Sequence, residues 1–548
     1  MNVTGRSWIN SKTPPANRLF NLLRIRRHLF SEAVWIPVLL LAAGFFSHSP
    51  SLKGGFVWDD LTLIVNHSSI QEISPKNIRY IFTHSYFSNP DIPETKETAF
   101  RGGYFRPMAN LGYALLYSIF KLNPTGWHMT NIFLHCLNGL LLFVLFQRMI
   151  SDKAVCFLSA LLFTLHPCFH QAVDYCTGFI DILSLFFTLT SVLFLFKWLD
   201  EKVFLSLSGF LCFTSFLLCL LTKETGLSAP LLGLCYLLSK RQKLFSNQLV
   251  KILILFINLI FIFMWRKYVL SLSLLDNSVL TPTWQYYATV IHLLVKYIYN
   301  FLVPFCPLFM QQYQAFIPFH TVLWETAGIL FVLTGFYYFS LPVKLALLWF
   351  FISWIPVSNL FPLHPNISSF ALYYSDHLLY FAGTGLSLLV ALCLLSPDRF
   401  IKNQLIRFLL ISFIVLPLIY SWTSQTRKNS SVWGNPEQLY LKVIRSNPCN
   451  AGAFLNLGVY YAMNNRHGEA LLQYKTLYDV LIKNQIQEPG MISQCLTNMG
   501  YSYFQLNNWP KAAQSYQEAL DWLPTNSFAS NGLAESRKRM KKERFFSR

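Results

Sequence analysis

The sequence predicts an all-α protein: a polytopic membrane helix bundle followed by a small water-soluble α-solenoid of repeats. Three observations lead there. Only 13% of the 548 residues are charged, with 53% hydrophobic and 17% aromatic, whereas a soluble globular chain carries about 25% charged residues. Long apolar runs alternate with short basic connectors as far as about residue 422. From Trp433 onward the chain turns polar and amphipathic, with a repeat of roughly 34 residues.

Taken in order, residues 1–32 form a basic arm with Arg18, Arg24, Arg26 and Arg27, and an apolar run from Val34 to Phe46 follows. This reads as an uncleaved signal anchor whose N-terminus stays in the cytoplasm. A membrane domain spans 33–422, and its first connector, 47–125, is far too long to be a plain loop. That loop is external, carries Trp58-Asp59-Asp60, and includes an amphipathic helical piece from Met108 to Leu122. Apolar runs come next at about 128–149, 154–167, 176–197, 203–221, 226–239 and 250–265. Arg148–Lys153, Lys197–Lys202 and Lys240–Lys251 are basic and read as cytoplasmic, while His166–Asp181 and Thr222–Gly226 read as external. Lys344 separates two later runs, 325–340 and 345–357. Keeping Lys344 inside requires 284–303 to be re-entrant or interfacial. Runs at 377–395 and 404–421 complete the set, giving roughly eleven spans with the C-terminal domain external.

The C-terminal domain, 433–548, carries Leu496, Met499, Gly500, Tyr503, Ala512, Tyr516, Ala519 and Pro524 at the spacing of one tetratricopeptide unit. An earlier copy reads Phe454, Leu457, Gly458, Tyr461, Ala470 and Tyr474, followed by an insertion, and partial units end at Pro448 and start at Ser527. The small residues let paired helices approach while the aromatics fill the space between hairpins.

The net charge of +19 does not point to nucleic acid, because no basic face alternates with stacking aromatics on a soluble module. The basic residues instead follow the positive-inside pattern and face anionic lipid headgroups, as in Arg24-Arg26-Arg27, Lys240-Arg241-Lys243 and Arg399-Lys402-Arg407. The 11 cysteines contain no CxxC pair, which argues against zinc or dithiol redox chemistry. Cys168 and Cys176 share an external loop and read either as a disulfide or as two small packing residues.

Asp59 and Asp60 lie just beyond the first span. Neighbouring carboxylates repel, which raises one pKa toward the range of a general base, and they also suit a divalent metal ion or a hydroxyl anchor. A helix cap followed by a solvated acid is the alternative. Arg106, in Tyr104-Phe105-Arg106-Pro107, presents a bidentate fork suited to phosphate, or else snorkels at the interface. His128, Asn131 and His135 recur at helical spacing at the start of the second span. Polar groups at that depth pair across helices or line a cavity. His166, Asp181, Lys223, Glu224, Asp376 and His377 fall at external turns. Together they suggest one polar cavity open to the outside.

The ordered set Phe56-Val57-Trp58-Asp59-Asp60, Tyr104-Phe105-Arg106-Pro107, His128-Met129-Thr130-Asn131 with His135, His166-Pro167, Asp181 and Lys223-Glu224-Thr225-Gly226, closed by repeats, resembles the transmembrane-and-tetratricopeptide-repeat O-mannosyltransferases and their bacterial relatives, of the GT-C glycosyltransferase superfamily. The resemblance implies a GT-C membrane fold and transfer of a hexose such as mannose from a polyprenyl-phosphate donor to a protein or glycan hydroxyl outside. It implies Asp59 or Asp60 as base or metal anchor, with Arg106, Lys223 and His377 on the donor phosphate. His128, Asn131, His135, His166, Asp181, Glu224 and Asp376 are expected to line the cavity. Membrane lipid and a protein held by the repeats are the further partners, in a bacterial inner membrane with periplasmic repeats, or in an ER membrane with lumenal repeats if the chain is eukaryotic. Two departures stand out. Relatives place an Arg where this chain has His377, and another shortly before the acid at Asp181, where this chain has Phe179-Ile180. The alternative from another class is a non-catalytic scaffold whose repeats recruit envelope proteins.

Overall fold

The structure, a computed structural model, describes residues 32–91, 104–240, 246–269, 284–305, 311–313, 317–358, 360, 372–395, 401, 403–483 and 489–546. The N-terminal basic arm, Arg241, Lys243, Arg399 and Lys402 lie outside the described residues. Helices of nine residues or more are numbered in chain order. The first, α1 (Glu32–His48), leads into a long loop carrying α2 (Pro75–Thr83) and α3 (Pro107–Phe120). The bundle continues through α4 (Pro124–Phe146), α5 (Lys153–Leu165), α6 (Phe179–Asp200), α7 (Leu207–Thr222), α8 (Ala229–Ser239) and α9 (Ser246–Val269). It closes with α10 (Trp284–Leu302), α11 (Phe319–Gly335), α12 (Leu341–Trp354), α13 (Leu379–Leu395) and α14 (Gln404–Trp433). A two-stranded antiparallel ribbon, β1 (Gln311–Tyr313) and β2 (Leu372–Tyr374), places Gln312 opposite Tyr373.

Among the described residues, seven helices are long and apolar enough to cross a membrane: α1, α4, α6, α9, α11, α13 and α14. α5 and the short helical piece that follows it are long and apolar enough only when taken together, and are bent by 46° at their junction, as in a broken span or a re-entrant loop. That bend falls at His166-Pro167, where proline's missing N–H breaks the helical hydrogen-bond ladder. Two shorter apolar helices, α7 and α12, fall on further expected runs, so that fewer helices among the described residues are long enough to cross than the roughly eleven expected. The segment expected to be re-entrant or interfacial, α10, is not among the helices long and apolar enough to cross. Trp284, at its start, meets Phe319 at the start of α11 with ring centroids 6.0 Å apart. Asn300, near its other end, donates to Asp376 at 2.7 Å. Leu293, Leu294, Tyr297 and Phe301 form the buried side of the helix.

The C-terminal solenoid consists of α15 (Pro436–Ser446), α16 (Ala451–Met463), α17 (His467–Lys483), α18 (Pro489–Gln505), α19 (Trp509–Trp522) and α20 (Ser527–Phe546). A Cβ at Gly458 would stand 2.3 Å from the Tyr474 ring, so glycine is what lets α16 and α17 pack. Gly500 and Gly532 both lie against Tyr516 in the same way. Asparagine side chains cap the first turns of α15, α16 and α19: Asn435, Asn450 and Asn508 accept from main-chain N–H groups three residues on.

The solenoid is docked directly on the bundle. The 30 residues of α14 run from the membrane straight to its first helix. Val57 and Tyr175 from the loops join Trp433, Leu439, Tyr440 and Val443 in one apolar core. Trp58, in a left-handed conformation with φ 52°, donates its N–H to the Tyr440 hydroxyl at 3.1 Å. The two rings meet edge to face, 5.2 Å apart. Cys168 and Cys176 are both free thiols, and each makes its own contact: Cys168 with Asn300, Cys176 with His128. No disulfide joins them, and the packing reading of these two residues holds.

Candidate functional site

The loops at the solenoid end bring most of the sequence-chosen residues onto one face, but in two different kinds of environment. Asp60 is fully buried. Its Oδ2 accepts from the Val57 N–H at 3.0 Å and its Oδ1 from the Thr177 N–H at 2.8 Å. One carboxyl group thus closes its own turn and ties the first loop to the second. Burial raises its pKa to about 8, against the pull of the Val57 and Thr177 amides, with neighbouring Asp59 adding to the rise. Asp59 is half-buried, and its main-chain N–H donates to the Tyr175 hydroxyl at 2.7 Å. Of the pair, Asp60 is therefore placed as an organiser of the loops, and Asp59 is the carboxylate nearer solvent.

Tyr86 and Tyr113 stand beside this pair, and the sequence reading missed both. Their hydroxyls meet at 2.9 Å, and Tyr113 donates to the Thr177 carbonyl at 3.0 Å. Burial raises the Tyr86 phenol, Arg106 lowers it, and Asp59 and Asp181 raise it further. Arg106, Asp59 and Asp181 thus surround one phenol.

Arg106 lies between Tyr104, whose ring centroid is 4.2 Å from its guanidinium, and Glu224, which it meets at 2.9 Å. Glu224 is bridged a second time, at 2.9 Å, by Arg266 from α9. Desolvation raises the Glu224 carboxyl, but Arg106 and Arg266 outweigh it and hold the group at about 2. Among the described residues, the Nε of Arg106 is buried without a hydrogen-bond partner. Next to this clamp, Lys223 pairs with Asp181 in a largely buried ion pair. Arg266 was not picked out from sequence. Its signal was an Arg-Lys pair closing an apolar run at a face otherwise poor in basic residues.

The remaining expectations fall differently. His135 bonds the Tyr380 hydroxyl at 2.8 Å and the Thr164 carbonyl at 3.2 Å. Asn131 donates to the Tyr175 carbonyl at 2.7 Å, and His128 contacts the Cys176 sulfur at 3.6 Å. His166 accepts the Cys168 N–H on Nδ1, so Nε2 donates to the Phe301 carbonyl at 3.0 Å. All four are buried and spent on joining helices rather than on lining an open cavity. Asp376 accepts from Asn300 and lies 3.5 Å from His170, whose Nδ1 accepts from the Trp433 indole at 2.9 Å. A parallel contact joins His48 to Asp174 at 2.9 Å, with Ser430 of α14 donating to the same oxygen. These networks fasten α1, α10 and α14 to the second loop. Among the described residues, no three His, Cys, Asp or Glu side chains converge to hold a metal ion. Both oxygens of Asp60 accept main-chain amides.

Tetratricopeptide-repeat models match residues 439–472 and 493–526. The chain is 30% identical over 228 residues to human protein O-mannosyl-transferase TMTC1, covering 38% of this chain and 24% of that protein. It is 22% identical over 462 residues to Caenorhabditis elegans protein O-mannosyl-transferase F38B6.6, covering 81% and 62%. The matched segment thus spans about a quarter of the length of the human relative. Among solved structures, ArnT from Cupriavidus metallidurans bound to undecaprenyl phosphate aligns over 93% of this chain and 89% of its own, with a TM-score of 0.40 and 13% identity. The Archaeoglobus fulgidus oligosaccharyltransferase aligns over 81% and 59%, with a TM-score of 0.41 and 12% identity.

Proposed function

We propose that this chain, similar along most of its length to protein O-mannosyl-transferases, is a membrane glycosyltransferase that takes a sugar from a polyprenyl-phosphate donor. One observation carries the reading. At one face of a membrane bundle, Arg106, Lys223 and Arg266 gather around two carboxylates, and among the described residues the buried Arg106 Nε–H meets no acceptor. A buried unsatisfied donor on a cation costs free energy until an anion meets it, and a guanidinium fork matches phosphate oxygens. A phosphate on a lipid tail reaches such a cluster from the bilayer.

In this reading Arg106 and Lys223 hold the donor phosphate and steady the charge it gains as it leaves. Asp59, half-buried, takes the proton of the acceptor hydroxyl. The hydroxyl oxygen bonds to the anomeric carbon as the carbon–oxygen bond to phosphate breaks, and the configuration inverts. Asp60 holds the loop that presents Asp59. The repeats, docked on that same loop, bring a protein acceptor within reach, as helical-repeat grooves do. The site and the repeats face away from the cytoplasm.

The test is sugar transfer from a radiolabelled polyprenyl-phosphate mannose in membranes carrying wild type, Asp59→Asn or Arg106→Ala protein. The expected result is transfer by wild type and its loss in both variants. No transfer by wild type across several sugar donors would replace the enzyme by a scaffold that works through its repeats.

A further inference from the structure

We infer that His377 reads the donor's sugar by accepting a hydrogen bond from one of its hydroxyls on Nε2, rather than binding the phosphate. The inference rests on the glycosyltransferase reading and assigns one residue of that site a different task from the one its position suggested.

The argument is a chain of hydrogen-bond directions. The main-chain N–H of His377 can only donate, and it points to the Gln171 side-chain atom at 3.4 Å. That atom must therefore be the amide oxygen, which fixes an orientation that electron-poor amide ends otherwise leave open. The Ser375 hydroxyl lies 2.7 Å from the same oxygen and has to donate its only proton there. Ser375 Oγ also lies 2.9 Å from His377 Nδ1. With its proton already given away, the hydroxyl can only accept, so Nδ1 carries the hydrogen. A neutral imidazole protonated at Nδ1 leaves a lone pair on Nε2. Burial disfavours a charge on this ring most strongly, and Lys223 and Arg106 oppose it as well, against the pull of Asp181. The ring is partly exposed, and among the described residues no hydrogen bond reaches Nε2.

A lone pair beside Arg106 and Lys223 is badly matched to phosphate oxygens, which are acceptors themselves. It suits an O–H. The group covalently attached to a phosphate held by those cations is the sugar, and its hydroxyls are the donors within reach. Presenting an acceptor at this point makes His377 a specificity-determining residue.

The experiment compares binding of bare polyprenyl phosphate with that of polyprenyl-phosphate mannose to the purified full chain in lipid nanodiscs, for wild type, His377→Ala, His377→Gln and His377→Arg. A neutral hydrogen bond is worth about 0.5–1.5 kcal/mol, a factor of roughly 2 to 12 in Kd. His377→Ala is expected to weaken the sugar-bearing lipid by that factor and leave the bare lipid unchanged. His377→Gln, whose amide oxygen can take the place of Nε2, restores most of the difference. His377→Arg is expected to tighten the bare lipid while losing the preference for the sugar-bearing one. Equal weakening of both lipids in His377→Ala, or no change in either, overturns the inference. If wild type binds neither lipid while remaining folded, the glycosyltransferase reading falls first and this inference falls with it.

Discussion

Replacing Asp60 and Asp59 one at a time by asparagine separates an organising carboxylate from a reacting one. In Asp60→Asn, a side chain with one oxygen replaces one whose two oxygens each accept a main-chain N–H, at 3.0 Å from Val57 and 2.8 Å from Thr177. The new amide group has to face one of those donors, so one buried N–H loses its acceptor. Leaving a buried donor unsatisfied costs about 1–3 kcal/mol, which corresponds to roughly 5- to 150-fold more frequent local opening. Hydrogen–deuterium exchange of peptides covering 55–62 and 174–180 reads this directly, with accelerated exchange expected in both segments. Asp59→Asn is expected to leave exchange in those segments at the wild-type rate and to abolish sugar transfer. The reasoning is refuted if Asp60→Asn exchanges like wild type yet transfers no sugar. Asp60 would then be acting in the chemistry, not in the loop.

Further predictions follow from the same geometry. Glu224 sits at about 2, below the usual 4.5. Its contribution to stability is therefore complete above pH 4.5 and lost as the pH falls toward 2. Thermal melts across that range should show an acid-dependent step that Glu224→Gln removes. Asp60, raised from 3.8 to about 8, has the opposite sign. Its contribution is complete below 3.8 and is lost as the pH rises through 8, so melts of wild type and Asp60→Asn should converge at the alkaline end. Tyr440→Phe deletes the acceptor of the Trp58 N–H and should loosen solenoid docking by about 1 kcal/mol, read as faster protease cleavage near residue 434. Gly458→Ala forces a methyl to within 2.3 Å of the Tyr474 ring and should destabilise the repeats by about 1–3 kcal/mol, seen as an earlier loss of helical circular dichroism.

What the sequence disclosed and what it withheld divide along physical lines. Hydropathy and the alternation of basic connectors report on contact with lipid and water, which each residue meets locally, so the long apolar helices were legible. The tetratricopeptide spacing was legible because Gly458 and Gly500 must sit where Tyr474 and Tyr516 need room. Partnership across distant segments left almost no local trace. Nothing near Asp60 indicates that Thr177 occupies one of its oxygens, and nothing near Glu224 points to Arg266, on a different helix.

Identity alone also misjudges the charge state of a group. His377 stands where a cation was expected, and its residue type permits one. The directions of the hydrogen bonds around Gln171 and Ser375 put its hydrogen on Nδ1, so that in the neutral ring Nε2 is left as an acceptor. Arg106 shows the converse. Its residue type announces a phosphate ligand, but Glu224 already occupies part of its fork. A donor phosphate must therefore share Arg106 with Glu224 or displace it, and Arg266, on the other oxygen of Glu224, keeps that carboxylate compensated if Arg106 turns away. On this view Arg266→Ala strengthens the hold of Glu224 on Arg106 and weakens donor binding without Arg266 touching the donor. Glu224→Gln in the same background should relieve the effect, because a neutral amide competes poorly for the guanidinium. A double-mutant cycle in donor Kd measures this coupling. Additive effects of the two substitutions would mean that Arg266 acts on the donor itself and not through Glu224.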